Sequence, residues 1–339
     1  MSKPRVVFRA DGNAQIGLGH ISRSLALAEM LSPEFNCVFA IVHPPENTLS
    51  LLGSAFQVIR LPELELAQEL EFLASEVLQP TDIVVLDGYQ FDLNYQQKIK
   101  ALSCKLVFID DLNAQPFVAD AVTNHAPGLS GNSYKTEANT HLCLGFEYAL
   151  LRHPFLRAAR ELNSRKLPVY RDRAHVLITF GGADKYNLCE KITRMCLAIP
   201  AVEKISVVLG SGSNRQAFEA GFAGGRPVKA YTNLSAEEMC SLMLKCGVLL
   251  APASTVVMEG LATFLPVLCG YYVPAQLPPY QQLVAARCIT PVGDWNLVTE
   301  TDIEFALSNL PEKPVSVIDG QQPERFRKLF RSLRKQTMP

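Results

Sequence analysis

Short runs of β-branched residues alternate with longer stretches of helical periodicity along the chain, and this alternation is the feature that most constrains its fold. It is typical of parallel βαβ units, in which each helix covers one face of a sheet. The clearest helix is predicted at about 18–31, where Ile21, Leu25 and Ala28 share one helical face. In the first half the pattern predicts strands at 5–8, 37–42, 83–86, 106–109 and 121–123.

The same pattern begins again in the second half of the chain. A strand predicted at 176–180 leads through Gly181-Gly182 into a helix at 187–197. Because the strand and glycine turn that open each half look alike, we predict an α/β protein with two Rossmann-like domains facing a cleft. Ligands of such sheets bind at the carboxyl ends of the strands, so residues just after strands are the functional candidates. Further strands are predicted at 205–209, 248–251 and 266–268.

The length of 339 residues is about twice that of one ordinary domain, which agrees with this division. We predict an N-terminal domain at 1–156, a charged linker at 157–173 and a C-terminal domain at 174–320. The last residues, 321–339, are expected to form a helix that packs back across the domains.

Charge and hydropathy argue against two classes of partner. The formal net charge is −1, and the 32 basic residues are scattered except at 325–335, so no basic patch for nucleic acid is predicted. No stretch reaches the roughly 18 apolar residues of a membrane-spanning helix, so no stable membrane association is expected.

The cysteines and the first residues bear on the compartment. The nine cysteines include no Cys-x-x-Cys pair and lie mostly in apolar surroundings, so we expect buried free thiols rather than disulfides or metal ligands. The first residues, Met1-Ser2-Lys3-Pro4, lead directly into an apolar strand without the apolar region of a secretory leader. Both features favour a cytoplasmic location.

The segment between the first strand and the first helix is the most informative for function. Gly17 and Gly19 let backbone amides approach a ligand, and the helix behind them directs a partial positive charge at it, so the turn suits a phosphate. The segment is neither a dinucleotide fingerprint, because position 22 is Ser, nor a P-loop. A tight strand-to-helix turn without a ligand fits the spacing equally well.

His20 follows this turn and is the candidate catalytic base. In the first turn of a helix the dipole disfavours the protonated imidazole, and the neutral form can accept a proton from water. A histidine that only hydrogen-bonds a nearby carbonyl is the alternative interpretation.

A second strand–turn–helix segment lies at 250–259 and carries the other polar candidates. Ser254 and Thr255 are placed to cap the helix and to offer hydroxyls and amides to a phosphate. Glu259 lies one helical turn after Thr255 in an apolar helix, too late for a capping box. A carboxylate in such surroundings needs a donor, and the vicinal hydroxyls of a ribose would serve. A pair with a neighbouring backbone amide or arginine is the alternative.

Polar residues also follow other predicted strands. Asp87 and Tyr89 come after 83–86, Asp110 and Asp111 after 106–109, and Asn124 after 121–123. The two adjacent aspartates should diverge from one another, so helix capping is the favoured role for one of them and no metal site is predicted. Asn124 could bind an amide or a hydroxyl.

With these residues in view, the chain resembles the UDP-2,4-diacetamido-2,4,6-trideoxy-L-altrose hydrolases of pseudaminic acid biosynthesis. The motifs co-occur in order over about 5–295, which is more specific than any one of them. This family is similar in fold to the GT-B glycosyltransferases, especially the lipid II N-acetylglucosaminyltransferase. The resemblance rests on Phe8-Arg9-Ala10-Asp11, Ile16-Gly17-Leu18-Gly19-His20, Leu86-Asp87-Gly88-Tyr89, Asp110-Asp111, Asn124, the segment 145–152 that ends at Arg152, Gly181-Gly182, and Ser254 with Glu259.

The resemblance implies a cofactor-free and metal-independent enzyme that hydrolyses the anomeric C–O bond of a UDP-linked diacetamido-trideoxy sugar with inversion. His20 would be the base, and Glu259 would meet the ribose. The remaining substrate-binding residues that it implies are Gly17, Gly19 and Ser254 around the diphosphate, Tyr89 and Asn124 at the sugar, and Arg152 and Gly182. Ala183 departs from the pattern, since a hydroxyl residue is expected after the paired glycines.

Two other functions use the same residues. A UDP-sugar glycosyltransferase of the same fold would activate an acceptor hydroxyl in place of water. A non-catalytic UDP-sugar-binding protein would make His20 dispensable.

Overall fold

The computed structural model describes residues 3–12, 19–53, 55–165, 171–181, 184, 186–210, 212–311, 315 and 317–335. The chain divides into two compact units. Unit 1 comprises Met1–His153 with Gln321–Pro339, and unit 2 comprises Pro154–Gly320. Each unit is an α/β structure around a parallel sheet.

The described part of unit 1 contains a seven-stranded parallel sheet of order β3-β2-β1-β4-β5-β6-β7. Its middle strands are almost fully buried, as expected for a sheet covered by helices on both faces. The strands are β1 (Arg5–Ala10), β2 (Asn36–Val42), β3 (Gln57–Leu61), β4 (Ile83–Asp87), β5 (Lys105–Ile109), β6 (Ala121–Asn124) and β7 (His141–Leu144). Its helices are α1 (Gly19–Leu31), α2 (Glu46–Leu52), α3 (Leu66–Phe72), α4 (Leu93–Ala101) and, from the end of the chain, α12 (Gln322–Lys335).

Unit 2 repeats this arrangement on a smaller scale, with a parallel sheet of order β10-β9-β8-β11-β12-β13 among its described residues. The strands are β8 (His175–Thr179), β9 (Lys204–Val208), β10 (Val228–Tyr231), β11 (Val248–Pro252), β12 (Val267–Tyr271) and β13 (Thr290–Asp294). The helices are α5 (His153–Ser164), which begins on the last residue of the first segment of unit 1, α6 (Leu188–Ala198), α7 (Arg215–Ala220), α8 (Ala236–Lys245), α9 (Thr255–Ala262), α10 (Leu277–Ala285) and α11 (Glu300–Ser308).

The strand order reverses direction at one place in each sheet. In unit 1 this point lies between β1 and β4, where Ala10 is paired with Asp87. In unit 2 it lies between β8 and β11. The loops after these strands diverge to opposite faces of the sheet and open a crevice in which ligands of such folds bind. The described sequence candidates that follow β1, β4, β8 and β11 therefore lie at the ligand-binding edge of their own unit.

The structure differs from the prediction of a linker at 157–173. Helix α5 occupies the first half of that range and ends at Ser164. Its charged residues lie on the exposed face of an amphipathic helix, while Phe155, Ala159 and Leu162 are buried on the other face. The charged residues at 157–164 therefore form the exposed face of a helix and not a linker between domains.

Helix α12 packs within unit 1 against α1. Phe326, Phe330 and Leu333 of α12 are fully buried, and Phe330 meets Phe35 edge to face with 5.8 Å between ring centroids. The last helix thereby completes the core of the first unit.

The nine cysteines, all at described positions, are buried and free, which confirms the prediction made from their apolar surroundings. Among the described residues, none of the helices has both the length and the hydropathy needed to cross a bilayer.

Candidate active site

The segment after β1 is anchored by a buried ionic network. Arg9 donates from Nε and Nη2 to the two oxygens of Glu69, both at 2.8 Å, and the Tyr95 hydroxyl donates to Glu69 at 2.7 Å. Arg9 also meets Asp11 at 2.7 Å, and Asp11 accepts the amide of Val42 at 3.0 Å. Paired and hydrogen-bonded charges of this kind are stable away from water, so they fix the point from which the chain leaves the sheet toward α1.

His20 is the second residue of α1, and the structure places it at the carboxyl edge of the unit 1 sheet. Its side chain is nearly buried, with 10% exposed. His20 Nδ1 lies 2.6 Å from Oδ1 of Asp87, the last residue of β4. The first turn of α1 and the end of β4 thus bring together two residues separated by 67 positions.

The short distance between His20 and Asp87 fixes the tautomer of the imidazole. Nδ1 also lies 3.0 Å from Nη2 of Arg23, but a contact of 2.6 Å with a carboxylate requires a proton between the two atoms. Nδ1 therefore carries the hydrogen and donates it to Asp87. The lone pair of a neutral His20 is then on Nε2, which is the atom that can accept a proton from a ligand or from water.

Asp87 is fully buried and accepts three hydrogen bonds from two side chains in addition to its bond with His20. Arg23 donates to both carboxylate oxygens, through Nε to Oδ2 at 2.8 Å and through Nη2 to Oδ1, and the Ser24 hydroxyl donates to Oδ2 at 3.2 Å. Burial alone raises the pKa of Asp87, but the Arg23 guanidinium and then His20 outweigh burial and hold the pKa below its ordinary value. The carboxylate therefore stays ionised at neutral pH and can stabilise a protonated His20.

Arg23 connects this pair to a second carboxylate. Its Nη1 donates to Oδ2 of Asp111 at 2.8 Å, and the same oxygen accepts the hydroxyl of Tyr89 at 3.0 Å. The Tyr89 ring stands edge-on to His20 with 5.0 Å between ring centroids and is 65% exposed. His20, Arg23, Asp87, Tyr89 and Asp111 therefore form one contiguous group, which we call the His20 cluster.

Asn124 lies in a neighbouring network rather than in the His20 cluster. Its Nδ2 donates to Asp110 and to the Tyr134 hydroxyl, both at 3.0 Å, and its Oδ1 accepts the amide of Ala126 at 3.0 Å. Both amide hydrogens are thus used internally. A contact with a sugar, which stays a prediction, would have to use the second lone pair of Oδ1.

Asp110 and Asp111 diverge as expected from adjacent positions. Asp110 accepts the backbone amides of Leu112 and Asn113 together with Asn124, whereas Asp111 turns to Arg23. Asp110 therefore fixes the loop after β5. Within the described ranges, no group of three or more His, Cys, Asp or Glu residues is arranged to hold a metal ion.

His125, next to Asn124, lies within electrostatic reach of the His20 cluster. Burial, and then the Arg23 charge, lower the pKa of His125 to about 4, while Asp111 and Asp87 oppose the shift. His125 is therefore neutral at physiological pH and adds no positive charge beside His20.

The remaining candidates of the first unit and the glycine turn of the second are only partly described. Gly17 and Gly182 lie outside the described residues. Gly19 is exposed, and a Cβ added there would meet nothing within 4 Å, so its backbone is open to approach. Arg152 is half-buried just before α5. Gly181 has φ +83°, a conformation that residues with a side chain rarely adopt, which explains the glycine two residues after the end of β8.

Ser254 occupies the N-cap position of α9, but its hydroxyl does not cap the helix as the sequence had suggested. It donates instead to the carbonyl of Pro252 at 3.3 Å. The first turn of α9, at the carboxyl edge of the unit 2 sheet, therefore presents amides that the Ser254 side chain does not occupy.

Glu259 lies in the middle of α9 and is 7% exposed. Its neighbours in the helix, Val257, Met258, Gly260 and Leu261, are buried as well. The predicted placement of a carboxylate among apolar residues is thus present in the structure. Contact with a ribose stays a prediction.

Arg23 is the member of the His20 cluster that the sequence reasoning missed. The signal was available, because residues three apart on a helix share a face and Arg23 follows His20 by three. Asp87 and Asp111 were recognised as strand-end residues, but which of them meets His20 depends on the strand order of the sheet.

No family model matches the chain. It is 25% identical to an uncharacterized protein of Methanocaldococcus jannaschii, over 79% of this chain and 55% of that protein. It is 29% identical to the spore coat polysaccharide biosynthesis protein SpsG of Bacillus subtilis, over 61% of this chain and 60% of that protein. The chain thus spans less than two thirds of the length of these two relatives.

A third relative is the UDP-2,4-diacetamido-2,4,6-trideoxy-beta-L-altropyranose hydrolase of Campylobacter jejuni. It is 27% identical over 267 residues, which cover 76% of this chain and 88% of that protein. The resemblance inferred from the sequence motifs is thereby confirmed.

The solved structures that match confirm the predicted fold class. The calicheamicin glycosyltransferase CalG4 aligns with a TM-score of 0.63 at 12% identity over all of both chains. MurG of Acinetobacter baumannii aligns with a TM-score of 0.62 at 13% identity, over 97% of this chain and 99% of that one. The chain therefore has the α/β two-domain fold of the GT-B glycosyltransferases. That the two units face a common cleft stays a prediction.

Proposed function

We propose that the chain hydrolyses a UDP-linked amino sugar at its anomeric C–O bond, with His20 as the base that activates water. The observation that carries the proposal is the short hydrogen bond between His20 Nδ1 and the buried, ionised Asp87. It lies at the edge of the sheet where ligands of this fold bind. The hydrolase relative from Campylobacter jejuni supports the choice of substrate class.

In the proposed reaction, His20 Nε2 removes a proton from water while the water oxygen bonds to the anomeric carbon. The bond between that carbon and the β-phosphate oxygen breaks, and its electron pair leaves with UDP. Asp87 stabilises the imidazolium that forms, because the carboxylate stays ionised beside it. UDP is a good leaving group that needs little protonation, so one base suffices where ordinary glycoside hydrolysis uses an acid and a base. A single displacement of this kind inverts the anomeric centre.

We assign recognition of UDP to unit 2. The amides of the first turn of α9, with the Ser254 hydroxyl beside them, suit an anionic oxygen of the diphosphate. The buried Glu259 on the same helix would accept hydrogen bonds from the ribose hydroxyls. Gly19, Tyr89, Asn124 and Arg152 of unit 1, and Gly17 and Gly182, remain proposed substrate contacts. Following the resemblance, we assign the reaction to the biosynthesis of a nonulosonic acid such as pseudaminic acid.

A glycosyltransferase is the second candidate, because the solved structures with this fold include glycosyltransferases. The same base would then deprotonate an acceptor hydroxyl. Fold alone does not choose between acceptors, since one fold carries many reactions.

Release of UDP without an acceptor separates these functions. The purified protein is incubated in buffer with UDP-2,4-diacetamido-2,4,6-trideoxy-β-L-altropyranose alone, and UDP is quantified over time. Multiple turnovers are expected. Release that needs an added acceptor would support the glycosyltransferase, and binding without release would indicate a non-catalytic protein.

Replacing Glu259 with glutamine is expected to weaken UDP binding by about 1–3 kcal/mol, the scale for a hydrogen bond that involves a charged group. The loss should largely disappear when 2′,3′-dideoxy-UDP replaces UDP, because that ligand lacks the hydroxyls that Glu259 would accept from. Calorimetric titration of both nucleotides measures the difference. Glu304→Gln, on the exposed side of α11, is the matched control. Equal losses with both ligands would mean that Glu259 does not contact the ribose hydroxyls.

Catalysis is expected to be independent of added metal. Backbone amides at helix N-termini can stabilise the leaving diphosphate in place of a cation. Asp110, in turn, is occupied by hydrogen bonds to its own loop and to Asn124. The rate of UDP release should be the same with and without EDTA. A loss of activity that magnesium restores would contradict this and direct attention to Asp110 and Asp111.

A further inference from the structure

A cavity of about 210 Å³ opens in unit 1 between the loops that follow β4 and β5. It adjoins the His20 cluster, because Tyr89 and Arg23 both line it and both contact His20. The reaction proposed above needs neither the volume of this cavity nor the residues on its far side. The side chains that matter for its chemistry are Arg23, Tyr89, Phe108, Asp111, Leu112 and Ala114.

Two paired side chains that line the cavity, Asp111 and Arg23, offer a hydrogen-bond acceptor and a donor. The two hydrogen bonds that Asp111 makes with Arg23 and Tyr89 end on Oδ2. Within the described part of the chain, Oδ1 of this one-third exposed side chain is thus able to accept from a ligand. Arg23 Nη1 carries two hydrogens and gives one of them to Asp111, so the other can be donated into the cavity.

Three of the other side chains that line the cavity are apolar, and we call them its apolar wall. Leu112 is 62% exposed although it is a large hydrophobic residue, Ala114 is exposed, and Phe108 is buried. Apolar surface left open to solvent at a ligand-binding edge gains free energy when a ligand covers it.

Acceptor, donor and apolar wall together match a secondary amide that carries a small alkyl group. Its N–H would donate to Asp111, its carbonyl would accept from Arg23, and its methyl would cover Leu112 and Ala114. A hydroxyl group would leave the apolar wall bare. A cation is disfavoured because the Arg23 guanidinium already occupies Asp111.

We infer that this cavity binds the acylamino substituent that the sugar carries on the carbon next to its anomeric centre. The inference rests on the proposed function, since the anomeric carbon must lie at His20 for its neighbour to reach the cavity. It makes the loop after β5 the part of unit 1 that selects acylamino sugars over their hydroxyl counterparts.

Filling the cavity tests the inference. Ala114→Leu extends an exposed side chain into it and leaves the His20 cluster unchanged, whereas Ala101→Leu makes the same change on an exposed position at the end of α4. Binding is measured by calorimetry in a His20→Asn background, so that the ligand is not consumed. The ligands are UDP, UDP-2,4-diacetamido-2,4,6-trideoxy-β-L-altropyranose and the analogue with a hydroxyl in place of the 2-acetamido group.

The His20→Asn protein without a second substitution should bind the acetamido ligand at least about tenfold more tightly than the hydroxyl analogue. Tenfold is the low end of the range of discrimination when a ligand group is missing from its pocket. Ala114→Leu should remove most of that preference and leave UDP affinity unchanged, and Ala101→Leu should change neither. Equal affinity for the two sugars, or an unchanged preference in Ala114→Leu, would overturn the inference. Because the readout is binding, failure of the active protein to release UDP would count against the proposed function alone.

Discussion

Replacing His20 with asparagine is expected to lower kcat for UDP release by a factor on the order of 10² to 10⁴, the usual scale for one general base. Asparagine keeps a polar side chain at the position and can still donate to Asp87. It offers no atom that accepts a proton from water at neutral pH. UDP affinity should change little, because the His20 side chain is not one of the proposed nucleotide contacts. Steady-state kinetics and a UDP titration measure both quantities.

His43→Asn provides the control for this substitution. His43 belongs to the same unit, is exposed and pairs with Glu63 at 3.4 Å, and it is not part of the His20 cluster. Its backbone has φ 42°, which asparagine tolerates well. The control should keep normal turnover. Near-normal turnover in His20→Asn as well would show that His20 is a structural residue.

Asp87→Asn is expected to lower kcat by a comparable factor, on the order of 10² to 10⁴, although Asp87 need not touch the substrate. The amide oxygen carries no charge to stabilise the imidazolium. The amide hydrogens can instead donate to Nδ1, which moves the imidazole hydrogen to Nε2 and removes the base from the position facing water. The pH dependence of kcat/KM should change with it, because the ionised partner of His20 is gone.

The chain supplies a matched control at the start of the same strand. Asp82 directly precedes β4, is 1% exposed and pairs with Arg5, whose Nε donates to it at 3.0 Å. Asp82→Asn weakens a carboxylate–arginine pair whose carboxylate is as buried as that of Asp87. This pair lies at the start of β4, away from the carboxyl edge of the sheet. Both variants should lower the thermal midpoint, but only Asp87→Asn should lower kcat in the folded protein. Equal kcat in both variants would show that Asp87 acts on stability alone.

The interior strands of both sheets were predictable from the sequence, because a strand buried on both faces is a continuous apolar run. The missed strands are all at sheet edges and are partly exposed, so their sequences lack such a run. They are β3, β7, β10 and β13. Their absence from the prediction hid the common strand order of the two units.

The site was predictable where a single segment carries the signal. His20 after a glycine turn and Glu259 in an apolar helix could both be singled out from the local sequence. The structure places His20 at the carboxyl edge of the unit 1 sheet and Glu259 within the buried part of α9, as expected. The hydrogen bond between His20 and Asp87 could not be predicted in this way, because it depends on β4 lying next to β1 in the sheet. The capping role expected for Ser254 was wrong, since its hydroxyl donates to the carbonyl of Pro252 and not to the helix.

In the proposed reaction, water activated by His20 attacks the anomeric carbon of a UDP-sugar. Hydrolysis in ¹⁸O-labelled water tests this step, with the mass of the released UDP as the readout. The free sugar can exchange its anomeric oxygen with the solvent, whereas the phosphate oxygens of UDP do not exchange under these conditions, so UDP preserves the record of which bond broke. UDP without label is expected, since the bridging oxygen leaves with the phosphate. UDP that carries ¹⁸O would mean that water attacks phosphorus, and the proposed mechanism would then be wrong.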